Sequence, residues 1–86
     1  MSYSLSNDFV WKEVGDQVVI LHLNSGNYNS LNDTASHIWK GLMDGLNPEM
    51  ITKKLCEVFT IDEATAKKDT EDIIQQFLTK KAIINK

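Results

Sequence analysis

Between Val18 and Trp39 the chain reads VVILHLNSGNYNSLNDTASHIW, an order of residue types that few folds accommodate. Val19, Leu21 and Leu23 alternate with Val18, Ile20 and His22, and β-branched residues dominate the first half, which is the period-2 pattern of a strand with one buried face. The odd-numbered set is the more apolar, so it is expected on the core, with His22 pointing away. Asn24-Ser25-Gly26-Asn27 supplies residues that tolerate a left-handed backbone, the signal of a hairpin. Tyr28 to Leu31 returns as a short strand. Asn32 then stands where a side-chain oxygen can accept from the free amides of a helix that begins at Asp33.

The flanking segments extend this unit. Phe9 to Val14 is expected as a first strand, with Phe9, Trp11 and Glu13 on one face and Val10, Lys12 and Val14 on the other; the pattern does not say which is inside. Gly15-Asp16 suits a two-residue hairpin turn with Gly at the first central position, so a three-stranded antiparallel meander follows. Met1 to Asn7 reads as a polar, mobile tail. The remainder is helical. Asp33 to Met43 carries Ala35, Ile38, Trp39 and Leu42 at helical spacing and is ended by Gly45. Asn47-Pro48-Glu49 opens a second helix with a cap, Pro at the first position and a carboxylate in the first turn, and its stripe is Ile51, Leu55, Val58 and Phe59. A third helix starts after Asp62 and places Ala66, Thr70, Ile73, Ile74, Phe77 and Leu78 in one sector. Ala82-Ile83-Ile84 is an apolar tail that can tuck under the sheet. Three strands followed by three helices make an α+β domain of winged-helix-like outline, spanning residues 1–86 as one unit.

Composition bounds the function. The chain has 86 residues and one cysteine, so its core must hold without an internal disulfide, which suits a reducing, cytoplasmic setting. The longest apolar run, Val18 to Leu21, is too short to span a bilayer, and the N-terminus lacks the pattern of a signal peptide. Net charge is −3, and all nine cationic residues are Lys, set against twelve acidic residues with no basic cluster, which disfavours nucleic acid.

Catalytic residues are hard to assemble. Cys56 lies beside Leu55 with no His near it, and His22 and His37 fall on different elements. No spacing supports a metal site, and no glycine cluster forms a phosphate loop. Neither catalytic nor metal residues are expected, and no cofactor. Binding is better supplied. The edge strand Tyr28 to Leu31 carries neither charge nor Pro, the usual protections against another chain adding to it. The third helix can flank that edge, so that a groove offers backbone bonds on one wall and side chains on the other. Equally, a short polar strand can be simply solvated, or covered by the N-terminal tail. A winged-helix DNA-binding regulator and a self-associating structural domain are the alternatives from other classes.

The pattern VVILHLNSGNYNSLNDTASHIWKGL, then a Pro-Glu-initiated helix and Asp69 with Ile73, Ile74 and Phe77, resembles the PqqD family, the peptide-recognition elements of ribosomally made, modified peptides. The resemblance runs from about Val10 to Ile84 and is strongest to the free-standing leader-binding members of lasso-peptide clusters. It implies a domain without chemistry of its own. Such a domain captures a precursor's leader as an added strand between its third strand and third helix, and delivers the precursor to a separate papain- or transglutaminase-like leader peptidase and so to a cyclase. Carried onto this chain, the resemblance puts the backbone contacts on Tyr28, Asn29, Ser30 and Leu31. On the helix it implies Asp69, Ile73 and Gln76, with Lys68 and Asp72 beside them; Lys67, Glu71 and Ile74 form the alternative flank. Where many relatives end the third helix with Gly, this chain has Lys80-Lys81-Ala82.

Overall fold

A computed structural model describes residues 3–85. The order of elements is β1 (Tyr3–Leu5), β2 (Phe9–Val14), β3 (Gln17–His22), β4 (Tyr28–Ser30), α1 (Asp33–Met43), α2 (Pro48–Phe59), α3 (Glu63–Thr79) and β5 (Ile83–Asn85). β2, β3 and β4 form an antiparallel sheet with β3 in the centre, while β1 and β5 pair separately as an antiparallel ribbon. The mixed α+β meander and three helices match the expected fold class.

Each helix starts where its cap chemistry places it. The side-chain oxygens of Asn32, Asn47 and Asp62 accept from the amides of Ala35, Met50 and Thr65, three residues on in each case. α1 and α3 end in the same motif. In α1 the Gly45 amide donates to the Leu42 carbonyl and the Leu46 amide to that of Gly41; in α3 the Lys81 amide donates to Leu78 and the Ala82 amide to Phe77. The left-handed residue this requires is Gly45 in α1 (φ 85°) and Lys81 in α3 (φ 63°). The missing glycine thus leaves the helix end where it is and puts a lysine in glycine's conformation.

Four expectations are corrected. The even-numbered face of β3 is the inner one: Val18 and Ile20 are fully buried, and His22 stacks on Phe9 with ring centroids 4.8 Å apart. Val19 and Leu21 face outward, in one row with Val10 and Tyr28. The reason is that the outer face is itself apolar and no helix covers it, so the two faces do not differ in composition. Residues 3–5 belong to no mobile tail; they are β1, held against β5, and the Ser6 amide continues that pairing to the Ala82 carbonyl at 3.0 Å. Met1 and Ser2 lie outside the described residues. The apolar tail Ala82 and Ile83 is buried, but in this ribbon beside α3 rather than beneath the sheet. Val58 is also exposed, unlike its neighbours Ile51 and Leu55.

The core lies between the inner sheet face and the helices. Trp39 of α1 is completely buried, edge-on to Phe77 of α3 at 5.1 Å and to Trp11 of β2 at 6.2 Å, so one side chain joins the sheet to two of the helices.

Candidate functional site

The sheet ends at β4, and the backbone there is built from both sides. The turn after β3 closes through the His22 amide on the Asn27 carbonyl and the Gly26 amide on the His22 carbonyl, with Gly26 at φ 75°. Ser25 Oγ braces it, accepting from the Asn27 amide at 3.2 Å and bonding His22 Nδ1 at 2.7 Å. At the other end the Leu31 amide donates to the Val18 carbonyl at 2.8 Å, one residue before the Asn32 cap.

Ser36 completes this end. It is fully buried on α1, accepts from the Val18 amide at 2.9 Å and donates to the Leu31 carbonyl at 3.2 Å. Its hydroxyl stands in for the second bond of the Val18–Leu31 pair and ties the end of the edge strand to the helix. Nothing in the sequence pattern marks it.

These bonds fix which peptide groups are free. Residues of an antiparallel strand bond their neighbour alternately, so with Asn27 and Leu31 turned to β3, Asn29 is too, and the amides and carbonyls of Tyr28 and Ser30 point away. Of the four backbone positions expected at the edge, two present their polar groups outward and two hold the strand in the sheet. The whole of β4 is exposed, and residues 3–5 pair with β5 instead of covering it.

The flanks of α3 also separate. Lys67 and Glu71 line a depression with Pro48, Glu49, Thr52 and Lys53, so that flank is turned to the start of α2. Ile74 is buried. Asp69 and Ile73 are half-buried and Gln76 exposed on the other flank, and the next step of that row, four residues on, is Lys80. Lys80 lines a depression of about 230 Å³ with Asn27 and Asn29 of the edge, Ser25 of the turn, and Phe9, Ile20 and His22 of the inner sheet face. The row of Asp69, Ile73, Gln76 and Lys80 therefore ends beside β4. Lys68 and Asp72, expected to face a bound segment's charges, form an exposed ion pair with each other at 3.4 Å. Lys80, Asn27 and His22 are not site residues on the sequence pattern alone; His22 and Asn27 flank one turn, but Lys80 lies more than fifty residues on, and no local pattern links it to them.

The residues considered for chemistry sit apart. Cys56 is half-buried against the core from α2, and His37 lies edge-on to Phe59 at 5.1 Å. No helix of the described residues is long and apolar enough to cross a membrane.

Comparison with known proteins agrees with this fold. The structure described as TbiB1 in complex with the TbiA(beta) leader peptide is 30% identical, covering 100% of this chain and 98% of that one with a TM-score of 0.87. A lasso peptide synthetase B1 complexed with the leader peptide has the same fold, with a TM-score of 0.89 over 99% of this chain and 100% of that one at 22% identity. No curated protein sequence matches. Residues 17–83 match the family described as Coenzyme PQQ synthesis protein D (PqqD), which takes in β3, β4, the three helices and the first residue of β5. The chain belongs to the PqqD family.

Proposed function

We propose that this protein binds the leader segment of a ribosomally synthesised precursor, of the lasso-peptide kind, as an additional strand on β4 beside α3. It then presents the precursor to a separate papain- or transglutaminase-like leader peptidase, and through it to a cyclase, while performing no chemistry itself. The observation that carries the reading is the outward set of peptide groups on Tyr28 and Ser30, on an uncovered edge without charge or Pro, facing a helix flank that supplies side chains. This is the arrangement in which main-chain bonds give affinity and alternate side chains give specificity. The description of the 30% identical structure as a leader-peptide complex supports it. Tyr28, Asn29, Ser30 and Leu31 form the strand wall, and Asp69, Ile73 and Gln76 the helix wall, with Lys68 and Asp72 at its rim.

The test is fluorescence anisotropy with the labelled leader of the precursor encoded beside this protein's gene, against a scrambled peptide of the same composition. Saturable binding of the leader alone is expected, together with a higher melting temperature, because a ligand that binds only the folded state stabilises it. Equal binding of both peptides, or of neither, refutes the reading.

A further inference from the structure

The reading just given leaves open what the groove selects, and one end of it is chemically distinct. The depression between β4 and the end of α3 is lined by Lys80 together with Asn27, Asn29, Ser25 and His22, and no carboxylate among the described residues lines it. Among the described residues Lys80 forms no ion pair; the pairs there are Lys40–Glu13 and Lys68–Asp72. His22 engages Ser25 through Nδ1, which leaves Nε2 as its unengaged ring nitrogen. The floor is apolar, made by Phe9 and Ile20. A cation and two carboxamides over an apolar floor lack one thing, an anionic acceptor to satisfy several donors at once.

We propose that this end of the groove reads an acidic side chain, Asp or Glu, of the captured peptide, with Lys80 as the specificity-determining residue and Asn27 and Asn29 as its companions. The inference rests on peptide capture along β4. The same flank of α3 begins at Asp69, eleven residues earlier, which is roughly 16 Å along a helix and so about five residues of extended peptide. The groove is thus negative at one end and positive at the other. It favours a segment with an acidic residue at the Lys80 end and, four to six residues away, a basic or hydrogen-bond-donating one. A peptide entering in the reverse direction places like charges together, so the polarity also selects orientation.

The experiment is a selection from a random dodecapeptide library displayed on its own messenger RNA, run in parallel on the parent protein, on Lys80→Glu and on Ser30→Pro, each shown to be folded by circular dichroism. The parent is expected to enrich Asp or Glu at one fixed position. Lys80→Glu should replace them with Lys or Arg at that same position, and Lys80→Gln should flatten the preference. Individual peptides should lose about three- to tenfold in affinity when their acidic residue is neutralised, and the loss should vanish in Lys80→Gln. If the parent and Lys80→Glu enrich the same residues, and Ser30→Pro abolishes enrichment, capture on β4 stands and the role of Lys80 is overturned. If nothing is enriched, or enrichment survives Ser30→Pro, capture on β4 fails and this inference with it.

Discussion

Replacing Ser36 by alanine isolates the bond that fastens the edge strand to the helix layer. In the parent the buried hydroxyl satisfies the amide of Val18, itself fully buried, and the carbonyl of Leu31. Alanine removes one oxygen and leaves both groups without a partner in a place water does not reach. A net hydrogen bond contributes about 1 kcal/mol, but an abandoned buried donor costs the full desolvation of that group, about 1–3 kcal/mol. The carbonyl has less to lose because its lone pairs are easier to leave unpaired. We therefore expect a loss of about 2 kcal/mol, which for a domain of this size lowers the melting temperature by roughly 8–16 °C. The control is Ser25→Ala, whose hydroxyl bonds are exposed, with an expected cost of about 0.5 kcal/mol or less. Urea denaturation followed by circular dichroism measures both. Should Ser36→Ala fall within about 0.5 kcal/mol of the parent, the Val18 and Leu31 groups must close on each other unaided, and the hydroxyl is not what holds the strand end.

Four further outcomes are expected. Ser30→Pro should stay folded and lose at least about tenfold in leader affinity, because it deletes an outward amide, whereas Asn29→Pro should melt early, because it deletes a bond to β3; anisotropy and thermal melts separate them. Ile20→Ala should cost about 2–5 kcal/mol and the adjacent Leu21→Ala under about 1 kcal/mol, and equal costs by urea denaturation refute the assignment of the inner face. Lys81→Gly should raise stability by about 0.5–1 kcal/mol, since the left-handed backbone costs a side-chain-bearing residue about 1–2 kcal/mol and glycine's greater freedom when unfolded returns part of it; a lower urea midpoint contradicts this. The carboxylate of Asp62 is held below its ordinary value of 3.8, chiefly by the Thr65 hydroxyl and then by the Thr65 amide. Its contribution is present above the unfolded value and lost as pH falls through the folded one, so as pH falls below about 4 the parent should lose more stability than Asp62→Asn in urea titrations.

The helices could be read because their ends are chemically local: Asn32, Asn47 and Asp62 each satisfy amides three residues away, and Pro48 fits only a first turn. The hairpin after Val14 could be read for the same reason. What could not be read depends on distant segments. Val18 and Val19 are the same residue type, and what decides between them is that α1, far along the chain, packs on the Val18 face of β3. Residues 3–5 looked like a tail because their partner strand, Ile83–Asn85, is at the far end of the chain. At the candidate site, the edge strand was visible in its composition. The outward direction of Tyr28 and Ser30 rather than Asn29 and Leu31 needed the register, and the choice between the two flanks of α3 needed the position of α2. Lys80 reads in the sequence only as part of a helix end, because its significance lies in sharing a depression with Asn27 and Asn29, not in its neighbours.

The two edges of the sheet differ in a way that bears on the proposed function. β2 is the longer edge, and with Val14 paired to Gln17 and the Asp8 carbonyl accepting from the Leu23 amide, alternation turns the peptide groups of Phe9, Trp11 and Glu13 outward. That edge is guarded: the Phe9 amide is already bonded to the Ser6 carbonyl, and Lys12 and Glu13 place charges on the strand, with Glu13 tied to Lys40 of α1 at 3.4 Å. A strand approaching β2 must bring its backbone beside these charges, which is how proteins discourage edge pairing. β4 has no such guard, yet it is short, and its two ends are pinned by the Ser25 turn and by Ser36. A short, pinned strand offers few bonds to an arbitrary chain, so backbone pairing alone is weak there. Affinity has to be completed by side chains on the α3 flank. An unguarded edge too small to bind by backbone alone suits recognition of a particular peptide rather than self-association, and under the proposed function specificity falls to Asp69, Ile73, Gln76 and Lys80.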